Sequence, residues 1–395
     1  MAYTKDEFKQ LVDDIQSQSW YKNPIGFGIA KVDRGQINKD KILQATFPVI
    51  NWNENFGSAA VLLNALKVAG ENVDTSKSEL VCKISDEFLT SCIEAFRPFI
   101  PEAKGEAHKN VQVISTLASL PIDSGLSADD YRVVFIFEDA APESTEAVYL
   151  KLYALSTGKA ALRSLNLNGA FGKLHNCAWV GNQPIELDWL RANEIVLKLS
   201  GKYPNIDFVD KFPRLLQHVI LADNTRILDS GKVRMGAQLA AGTTVMPGAA
   251  YINFNAGTLG SVMVEGRISS SAVVGAGSDV GGGASILGVL SGTDGVPVTI
   301  GENTLLGANS CTGTAIGDGC ILDAGVTILP GTKIALSDKA VEQLKAINPG
   351  KEISNVMKGS DFQGVNGVHF RVNSSTGQTI AMRSTREVKL NADLH

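Results

Sequence analysis

The chain has 395 residues, of which 44% are hydrophobic and 7% aromatic, and its formal net charge is −5. This length allows two or three domains, and the mixed, slightly acidic charge argues against a nucleic-acid-binding protein, which would carry a basic stripe. No stretch approaches the roughly 18 consecutive apolar residues of a membrane span, and the charged N-terminus MAYTKDEFKQLVDDIQ does not resemble a signal peptide. We therefore expect a cytoplasmic protein with no membrane partner.

The cysteines also point to a reducing compartment. Their number is odd and none of them forms a CxxC pair, so we predict reduced thiols, with neither a disulfide framework nor a zinc site. The five cysteines are Cys82, Cys92, Cys177, Cys311 and Cys320.

The first half of the chain mixes the signals of helices and strands. Apolar residues at helical spacing predict a first helix over 4–18, which Thr4 can cap. Periodicity and composition predict three further helices and two strands, and together they indicate an α/β domain over 1–205 whose strand order the sequence does not give. The further helices are predicted at 58–69, 87–97 and 143–156, and the strands at 109–117 and 131–137.

Glycine, proline and asparagine make residues 201–213 a hinge by composition, and a repeat of six residues begins soon afterwards. Aliphatic or aromatic residues return at every sixth position in four runs, which two interruptions and one shift of phase separate. A mostly small residue follows four positions after most of them. The returns are Leu221, Ile227, Val233, Leu239, Val245, Tyr251, Val262, Ile268, Val274, Val280, Ile286, Ile300, Leu306, Ile316, Leu322, Ile328 and Ile334.

A period of six fits neither an α-helix nor a simple alternating strand, but it is typical of a hexapeptide β-helix. In that fold the aliphatic residue points inward and the small residue occupies a tight corner. We therefore predict a mainly β protein whose central domain, over 206–336, is a left-handed parallel β-helix. A small C-terminal extension over 337–395 follows, with a helix at 337–347 and a hairpin that turns at 374–377. Its moderately basic side chains are Lys358, Arg371, Arg383, Arg386 and Lys389.

Two interruptions of the period, at 252–261 and 287–299, predict loops that leave the regular coil. Insertions in a solenoid usually project on a functional face. The first is rich in Asn, Thr and Gly, which favours a binding loop over a tolerated excursion without a role.

Candidate chemistry has to come largely from the solenoid's own polar residues, because no histidine lies between His218 and His369. Glu265 and Arg267 fall at non-core positions on either side of a corner Gly266. A carboxylate can take a proton or an acyl group, and a guanidinium can grip a carboxylate; the alternative is a surface ion pair of little consequence.

The glycine run within 277–285 can aim N–H groups at an oxyanion or a carboxylate. It equally fits simple steric relief at the corner of a coil. Asp279, within the same stretch, is either a second acid or a turn former.

Eight segments in colinear order resemble the tetrahydrodipicolinate N-succinyltransferases of the diaminopimelate–lysine pathway, in the branch that differs from the shorter enterobacterial type. They cover roughly residues 205–340, whereas the N-terminal region resembles the family only weakly. The segments are 209–214, 242–246, 253–258, 263–269, 277–285, 305–310, 324–325 and 331–333.

This resemblance implies a homotrimer with active sites between adjacent β-helices, succinyl-CoA as acyl donor, and the amine of L-2-amino-6-oxopimelate, the open-chain form of tetrahydrodipicolinate, as acceptor. It places the catalytic glutamate, the proposed acyl-anhydride residue, at Glu265. Some family members bind Mg²⁺ on the trimer axis, but the matching positions here are Lys232 and Ala249, so we expect no metal site and no tightly bound cofactor. The implied succinyl-CoA contacts are Arg267, Gly282, Ser285, Ala308, Asp323 and Ala324.

Two other functions fit the repeat. A hexapeptide acetyltransferase acting on another amino acid or a sugar is less consistent with the missing solenoid histidine, since many of those enzymes use a histidine base. The second possibility is a non-catalytic hexapeptide protein, either a scaffold or a metal protein like the hexapeptide carbonic anhydrases. Such a metal protein would need histidine ligands on adjacent coils, and residues 219–368 contain no histidine.

Overall fold

The computed structural model describes residues 4–120, 128–290 and 292–390. The chain divides into two compact units. The first covers Met1–Ala154 and Leu165–Pro213, and the second covers Leu155–Ser164 and Arg214–His395. The second unit is therefore discontinuous in sequence, because a short segment from the first half of the chain folds with the repeat.

The first unit has the α/β character expected from the sequence. Its helices are α1 Lys5–Gln16, α2 Phe56–Val68, α3 Asp86–Phe96, α4 Lys109–Ser119, α5 Thr145–Ser156, α6 Ala170–Lys173 and α7 Leu187–Leu199, and the last residues of α5 belong to the second unit. Its strands are β1 Gly26–Arg34, β2 Ile42–Trp52, β3 Glu79–Lys83, β4 Tyr131–Ile136, β5 Cys177–Val180, β6 Gln183–Glu186 and β7 Phe208–Asp210. They form one sheet in the order β2-β1-β4-β3 and a second in the order β6-β5-β7; the paired strands of both are antiparallel.

One face of the larger sheet carries the core of this unit. Phe27 in β1 lies opposite Phe135 in β4, and the two rings stack with centroids 5.9 Å apart. Helices α2, α3 and α4 add Leu62, Phe88 and Ile114 to the same buried cluster. Thr4 caps α1 as predicted, since its side chain accepts a hydrogen bond from the Glu7 N–H and the Glu7 side chain accepts one from the Thr4 N–H.

The strand predicted over 109–117 is wrong, because this stretch lies in helix α4. Its apolar residues alternate like those of a strand, but Val111 and Ile114 are the side chains that become buried. A spacing of three places both on one face of a helix, and packing in the core decides between the two patterns.

A lysine ammonium is buried within the first unit. The Lys151 side chain on α5 is 1% exposed. Its Nζ donates hydrogen bonds to Asp139 Oδ1 at 2.7 Å, Ala140 O at 2.6 Å and Asn166 O at 2.8 Å. The buried Lys151 ammonium therefore joins α5 to the segment after β4 and to the segment after α5.

The second unit is a stack of coils with short parallel strands, as the hexapeptide period predicts. Its strands run from β8 to β22 through the repeat and from β23 to β25 beyond it. They are β8 Arg226–Ile227, β9 Thr244–Val245, β10 Tyr251–Ile252, β11 Gly257–Thr258, β12 Met263–Val264, β13 Arg267–Ile268, β14 Val273–Val274, β15 Asp279–Val280, β16 Ser285–Ile286, β17 Thr299–Ile300, β18 Leu305–Leu306, β19 Cys311–Thr312, β20 Ile321–Leu322, β21 Thr327–Ile328, β22 Lys333–Ala335, β23 Val356–Lys358, β24 Val368–Val372 and β25 Thr379–Arg383.

Three sheets run along the stack. Their orders are β10-β13-β16-β19-β21, β11-β14-β17 and β23-β22-β25-β24-β20-β18-β15-β12-β9-β8. Inward side chains stack from coil to coil, and buried small residues occupy the positions between the strands. The inward stack of the longest sheet is Val245, Val264, Val280, Leu306, Leu322 and Phe370.

The predicted phase of the repeat is correct except between Val245 and Ile268. Ile252 rather than Tyr251 is the buried strand residue, and Thr258 takes the next inward position. The prediction that 252–261 leaves the coil is therefore wrong for its centre, because Gly257 pairs with Val273 in register. An inward threonine conceals the period from a search for aliphatic residues.

The second predicted loop is confirmed, since no strand lies between Ile286 and Thr299 in the described part of this segment. Leu290 in this loop is 97% exposed. Arg163 fastens the end of the loop to the coils: its guanidinium donates to Val298 O at 2.6 Å, to Thr299 Oγ1 at 2.9 Å and to Ser271 O at 2.6 Å.

The C-terminal extension completes the stack. The predicted helix is confirmed as α8, Asp338–Ile347, which the Ser337 side chain caps, and β24 and β25 form the predicted antiparallel hairpin. Strand β24 pairs in parallel with β20, so Phe370 continues the inward stack by one coil. None of the helices in the described part of the chain is long and apolar enough to cross a membrane.

Candidate active site

One corner of the coil stack brings the predicted site residues into line. In the longest sheet, the residue directly after each inward residue lies at the corner of the coil. Its backbone N–H donates a hydrogen bond to the carbonyl of the inward residue in the next coil. Glu265 N donates to Val280 O at 2.8 Å, and Asp323 N to Phe370 O at 3.0 Å. From Glu265 onwards, this corner column consists of Glu265, Gly281, Gly307, Asp323 and Arg371.

A second line of residues lies directly beside the corner column. The Asn309 N–H donates to Gly282 O at 3.0 Å, and the Gly325 N–H donates to Ala308 O at 2.9 Å. Gly282, Ala308 and Ala324 are therefore stacked in successive coils. In the described part of the chain their own N–H groups donate to no protein acceptor, so they remain available to a ligand.

The coil that holds Glu265 has fewer residues at this corner than the regular coils. The step from the inward Val264 to the inward Ile268 is four residues, whereas the regular step is six. The shortened turn leaves the Glu265 side chain over Gly282, where a methyl group in place of the glycine hydrogen would lie 3.6 Å from Glu265 Oε2. The Glu265 carboxylate therefore lies close to Gly282, at the head of the column.

The glycines of this corner differ in how much space surrounds them. A Cβ on Gly281 would lie 2.6 Å from Leu306 O, and one on Gly307 would lie 2.6 Å from Leu322 O. Gly266 is tighter, at 2.3 Å from Ala284 O. These three allow coils to approach, which is the steric explanation of the glycine run, whereas Gly282 has room for a methyl group.

This contrast predicts opposite outcomes for neighbouring substitutions. Gly281→Ala is expected to destabilise the second unit by about 1–3 kcal/mol, because the methyl group overlaps a fixed carbonyl. Gly282→Ala is expected to change stability by less than about 0.5 kcal/mol while lowering activity, because its methyl group occupies space beside Glu265. Calorimetry and steady-state kinetics measure both effects; a normal melting temperature for Gly281→Ala would contradict the close approach.

Arg267 and Ser285 lie on the adjoining sheet face. Arg267 in β13 pairs in register with Tyr251 on one side and Ser285 on the other, and Ser285 pairs with Cys311. Arg267 is exposed, and in the described structure neither it nor Glu265 makes a salt bridge. The alternative of a surface ion pair therefore has no support from the geometry. Burial raises the pKa of the Cys311 thiol, while the positive charge of Arg267 acts in the opposite direction.

Charged side chains contact each other at the far end of the corner column. His369 Nε2 lies 2.6 Å from Asp323 Oδ1, and Arg371 Nε lies 3.4 Å from Asp323 Oδ2. Beyond them Lys333 and Lys358 face each other in register between β22 and β23. Like charges directly opposite each other are unfavourable, so this end of the column favours an anion.

The two flanking histidines differ in environment. Burial lowers the pKa of His218 to about 4, so its imidazole is neutral at neutral pH. His369 lies at the Asp323 end of the column, four coils beyond the coil that holds Glu265.

The positions at which the family resemblance implies Mg²⁺ do not fit a cation here. Lys232 Nζ donates to Gly248 O at 2.8 Å and lies 3.8 Å from Asp229 Oδ2. Ala249 has no ligand atom in its side chain. Among the described residues no group of three His, Cys, Asp or Glu side chains could hold a metal ion.

Comparison with known proteins agrees with this architecture across both units. The chain matches the profiles for the Tetrahydrodipicolinate N-succinyltransferase N-terminal region over residues 6–172, the middle region of the same family over 174–214, and the Hexapeptide repeat of succinyl-transferase over 297–330. It is 66% identical over 392 residues to the 2,3,4,5-tetrahydropyridine-2,6-dicarboxylate N-succinyltransferase of Sulfurovum sp., covering 99% of this chain and 98% of that one. The chain belongs to the tetrahydrodipicolinate N-succinyltransferase family.

Two further comparisons concern Campylobacter jejuni, one with a sequence and one with a crystal structure. The enzyme with the same name is 53% identical over 396 residues and is covered completely, as is this chain. A crystal structure of a putative 2,3,4,5-tetrahydropyridine-2-carboxylate N-succinyltransferase superposes with a TM-score of 0.92 at 52% identity, covering 98% of this chain and 100% of that chain. The resemblance stated from the sequence is confirmed, and it extends through the N-terminal region.

The structure also adds residues that the sequence did not single out. Arg371 extends the corner column by one coil, while Gly281 and Gly307, which the sequence placed only in a glycine run and a family segment, are corner residues of the same column. A usable signal existed for Arg371, because Phe370 and Arg371 repeat the pattern of an inward residue followed by a corner residue. Phe370 and Arg371 lie beyond the end of the repeat, so a search for the six-residue period does not reach them.

Proposed function

We propose that this chain transfers the succinyl group of succinyl-CoA to the amine of L-2-amino-6-oxopimelate in diaminopimelate and lysine biosynthesis. The observation that carries this proposal is identity of 50% or more, over at least 98% of both chains, to enzymes named for N-succinyl transfer to tetrahydropyridine-2,6-dicarboxylate. The corner column supports it, because it carries a carboxylate at one end and a cation at the other, and a line of unbonded N–H groups runs directly beside it.

The length of the column suits a CoA thioester. From Glu265 to Arg371 there are four steps between coils, which amount to roughly 19 Å at about 4.8 Å per step. The pantetheine arm has the length of four to five extended peptide residues, or about 15 Å. A thioester carbonyl beside Glu265 therefore leaves the phosphates near Arg371, with Gly282, Ala308 and Ala324 offering N–H groups to the amides of the arm, and Asp323 holding Arg371 in place.

Two chemical routes use Glu265. As a base, its carboxylate takes the proton of the substrate amine while the nitrogen attacks the thioester carbonyl carbon; the C–S bond breaks and the CoA thiolate leaves with a proton. As a nucleophile, the carboxylate first displaces the thiolate to form an anhydride, and the amine then takes the succinyl group and frees the carboxylate. In both routes we assign the Gly282 N–H as a donor to the developing oxyanion.

Arg267 is the residue we assign to the free carboxylate of the succinyl group, with Ser285 beside it. Arg267→Gln is expected to lower kcat/KM for succinyl-CoA tenfold or more, because a charge-assisted hydrogen bond contributes about 1.5–3 kcal/mol. Turnover of acetyl-CoA, which lacks this carboxylate, should change much less. A donor panel with both enzymes measures this difference.

The same panel tests the proposed function against a hexapeptide acetyltransferase. The wild-type chain is expected to prefer succinyl-CoA, and equal rates with acetyl-CoA and succinyl-CoA would remove succinyl transfer as its function. A non-catalytic scaffold predicts that CoA leaves the melting temperature unchanged, whereas a CoA-binding enzyme is stabilised by its ligand.

Several finer properties belong to the same proposal. The coils wind in the left-handed sense, and three chains associate with their active sites between neighbouring β-helices in the cytoplasm. The division into domains at 1–205, 206–336 and 337–395 stays a prediction, as do catalysis by Glu265 and succinyl-CoA binding by Arg267, Gly282, Ser285, Ala308, Asp323 and Ala324. Sedimentation equilibrium tests the trimer, since a monomer could not share a site between chains.

A further inference from the structure

A notch in the coil stack surrounds Glu265. The corner of its own coil holds only two residues, 265–266, between strands β12 and β13. The same corner holds five residues, 246–250, in the preceding coil and four residues, 281–284, in the following coil. The longer corners therefore project beyond the shorter one on both sides, and Glu265 lies on the floor of the notch between them.

Hydrogen bonds hold the longer corner of the preceding coil directly over this floor. At one end the Met246 N–H donates to Val264 O at 2.9 Å. At the other end the Tyr251 N–H donates to Gly266 O at 3.2 Å. The residues between these two ends therefore arch over the notch. We call residues 247–249 the tip of this arch, and all three are exposed.

Lys232, at the same corner one coil earlier, holds the tip in place. Its Nζ donates to Gly248 O at 2.8 Å, and Asp229 Oδ2 lies 3.8 Å from the same Nζ. In the described part of the chain no other hydrogen bond reaches residues 247–249. The position of the tip therefore depends on the Lys232 ammonium.

The tip presents two successive backbone donors. The N–H groups of Gly248 and Ala249 donate to no protein acceptor in the described structure. Gly248 has a φ of 79°, a left-handed conformation that glycine adopts without strain, and successive N–H groups beside such a residue can form a concave anion site. Two N–H groups next to the carbonyl that an ammonium holds are therefore complementary to a carboxylate.

We propose that the tip binds a carboxylate of the amine acceptor, with Lys232 as its positioning residue. This inference rests on the proposed function, in which the acyl-CoA lies along Gly282, Ala308 and Ala324 in the following coils. The tip belongs to the preceding coil, on the other side of Glu265. An acceptor held at the tip therefore brings its amine to the thioester from the side that CoA leaves open.

Calorimetric titration of the full-length chain with pimelate, a dicarboxylate of seven carbons without an amine, tests this contact in saturating CoA. Lys232→Met is expected to weaken pimelate binding about tenfold, because the tip loses its hydrogen bond and the carboxylate loses a neighbouring charge. The dissociation constant for CoA should change less than about twofold, since CoA contacts other coils. Unchanged pimelate binding, equal weakening of both ligands, or a wild-type chain that binds no pimelate would each overturn the inference.

Lys351→Met is the matched control, because Lys351 is an exposed lysine of the same unit whose Nζ also donates to a backbone carbonyl, Gln363 O at 3.1 Å. It should bind both ligands like the wild type, and a loss of pimelate binding equal to that of Lys232→Met would count against the tip.

Lys232→Arg keeps a cationic donor and is expected to bind pimelate within about threefold of the wild type. An arginine variant as weak as Lys232→Met would contradict the positioning role. If the melting curve of Lys232→Met shows that it does not fold, Lys232→Gln, whose side chain is one atom shorter than lysine, takes its place with the same expected losses.

The result is distinguishable from that of the donor panel. CoA binding without succinyl transfer would remove the proposed function, whereas the dicarboxylate contact is measured without any transfer. Succinyl transfer by the wild type, together with pimelate binding that Lys232→Met leaves unchanged, would contradict only the present inference.

Discussion

Replacing Glu265 with glutamine is expected to lower kcat by about 100- to 10,000-fold, the range that general acid–base catalysis contributes. The amide has the size of the carboxylate but can neither accept the amine proton nor displace the CoA thiolate. It retains the contacts of a side chain that lies over Gly282. The KM for succinyl-CoA should therefore change only a few-fold, so the effect falls on kcat.

Rapid-quench experiments with labelled succinyl-CoA then separate the two routes. The nucleophilic route predicts label on the peptide that contains Glu265 when the acceptor is absent. The base route predicts no labelled protein and a reaction that begins only when both substrates are bound.

Glu302→Gln serves as the control, because Glu302 is an exposed carboxylate on the same solenoid. It should retain normal turnover. Near-normal turnover of Glu265→Gln would eliminate both roles assigned to this carboxylate.

Replacing Lys151 with methionine is expected to destabilise the first unit by about 3 kcal/mol, because removing one partner of a buried ion pair leaves the other groups unsatisfied. Methionine fills nearly the same volume, so little of the loss comes from a cavity. The carbonyls of Ala140 and Asn166 and the Asp139 carboxylate all lose a donor. The Asp139 side chain is one-third exposed, so water can solvate its unpaired carboxylate. The expected loss of unfolding free energy is therefore at the low end of the range for buried ion pairs.

Urea unfolding followed by tryptophan fluorescence measures this loss in the right place, since the tryptophans lie only in the first unit. Lys9→Met on the exposed side of α1 is the matched control and should be nearly neutral. The double variant Lys151→Met with Asp139→Asn is expected to lose less than the two single losses added together, because it removes the charge that Lys151→Met alone leaves behind. Strict additivity would mean that the two side chains do not interact.

The repeat was predictable because the same short spacing along the sequence places an apolar side chain inside every coil. An inward aliphatic residue such as Val280 or Leu306 recurs at fixed spacing, and the same spacing sets the stack. The prediction failed where another residue type met the same need: Thr258 is buried with its Oγ1 2.7 Å from Thr243 Oγ1, so a hydroxyl pair replaces an aliphatic contact. In α4 it failed because Val111 fits two periods: it alternates with Val113 as in a strand, and it lies three residues before Ile114 as on one face of a helix.

The candidate site was predictable in its residues but not in its geometry. Glu265 and Arg267 were visible as charges on a solenoid face, and the other assigned positions came from the family resemblance. Their alignment depends on strand pairing between residues such as Val264 and Val280, which a single sequence does not specify. The place of Lys151 also depended on tertiary structure, because its partners come from segments on both sides of α5.

Arg163 gives the repeat region a dependence on an earlier part of the chain. Its bond to Thr299 joins residues separated by 136 positions, so a newly made segment around Arg163 has to wait for several coils to be synthesised before it can bind them. Such long-range contacts slow folding. A fragment cut at Arg214 would lack the donor for Ser271, Val298 and Thr299, and grafting the coils of a relative onto this N-terminal half would require that Arg163 and its acceptors be transferred together.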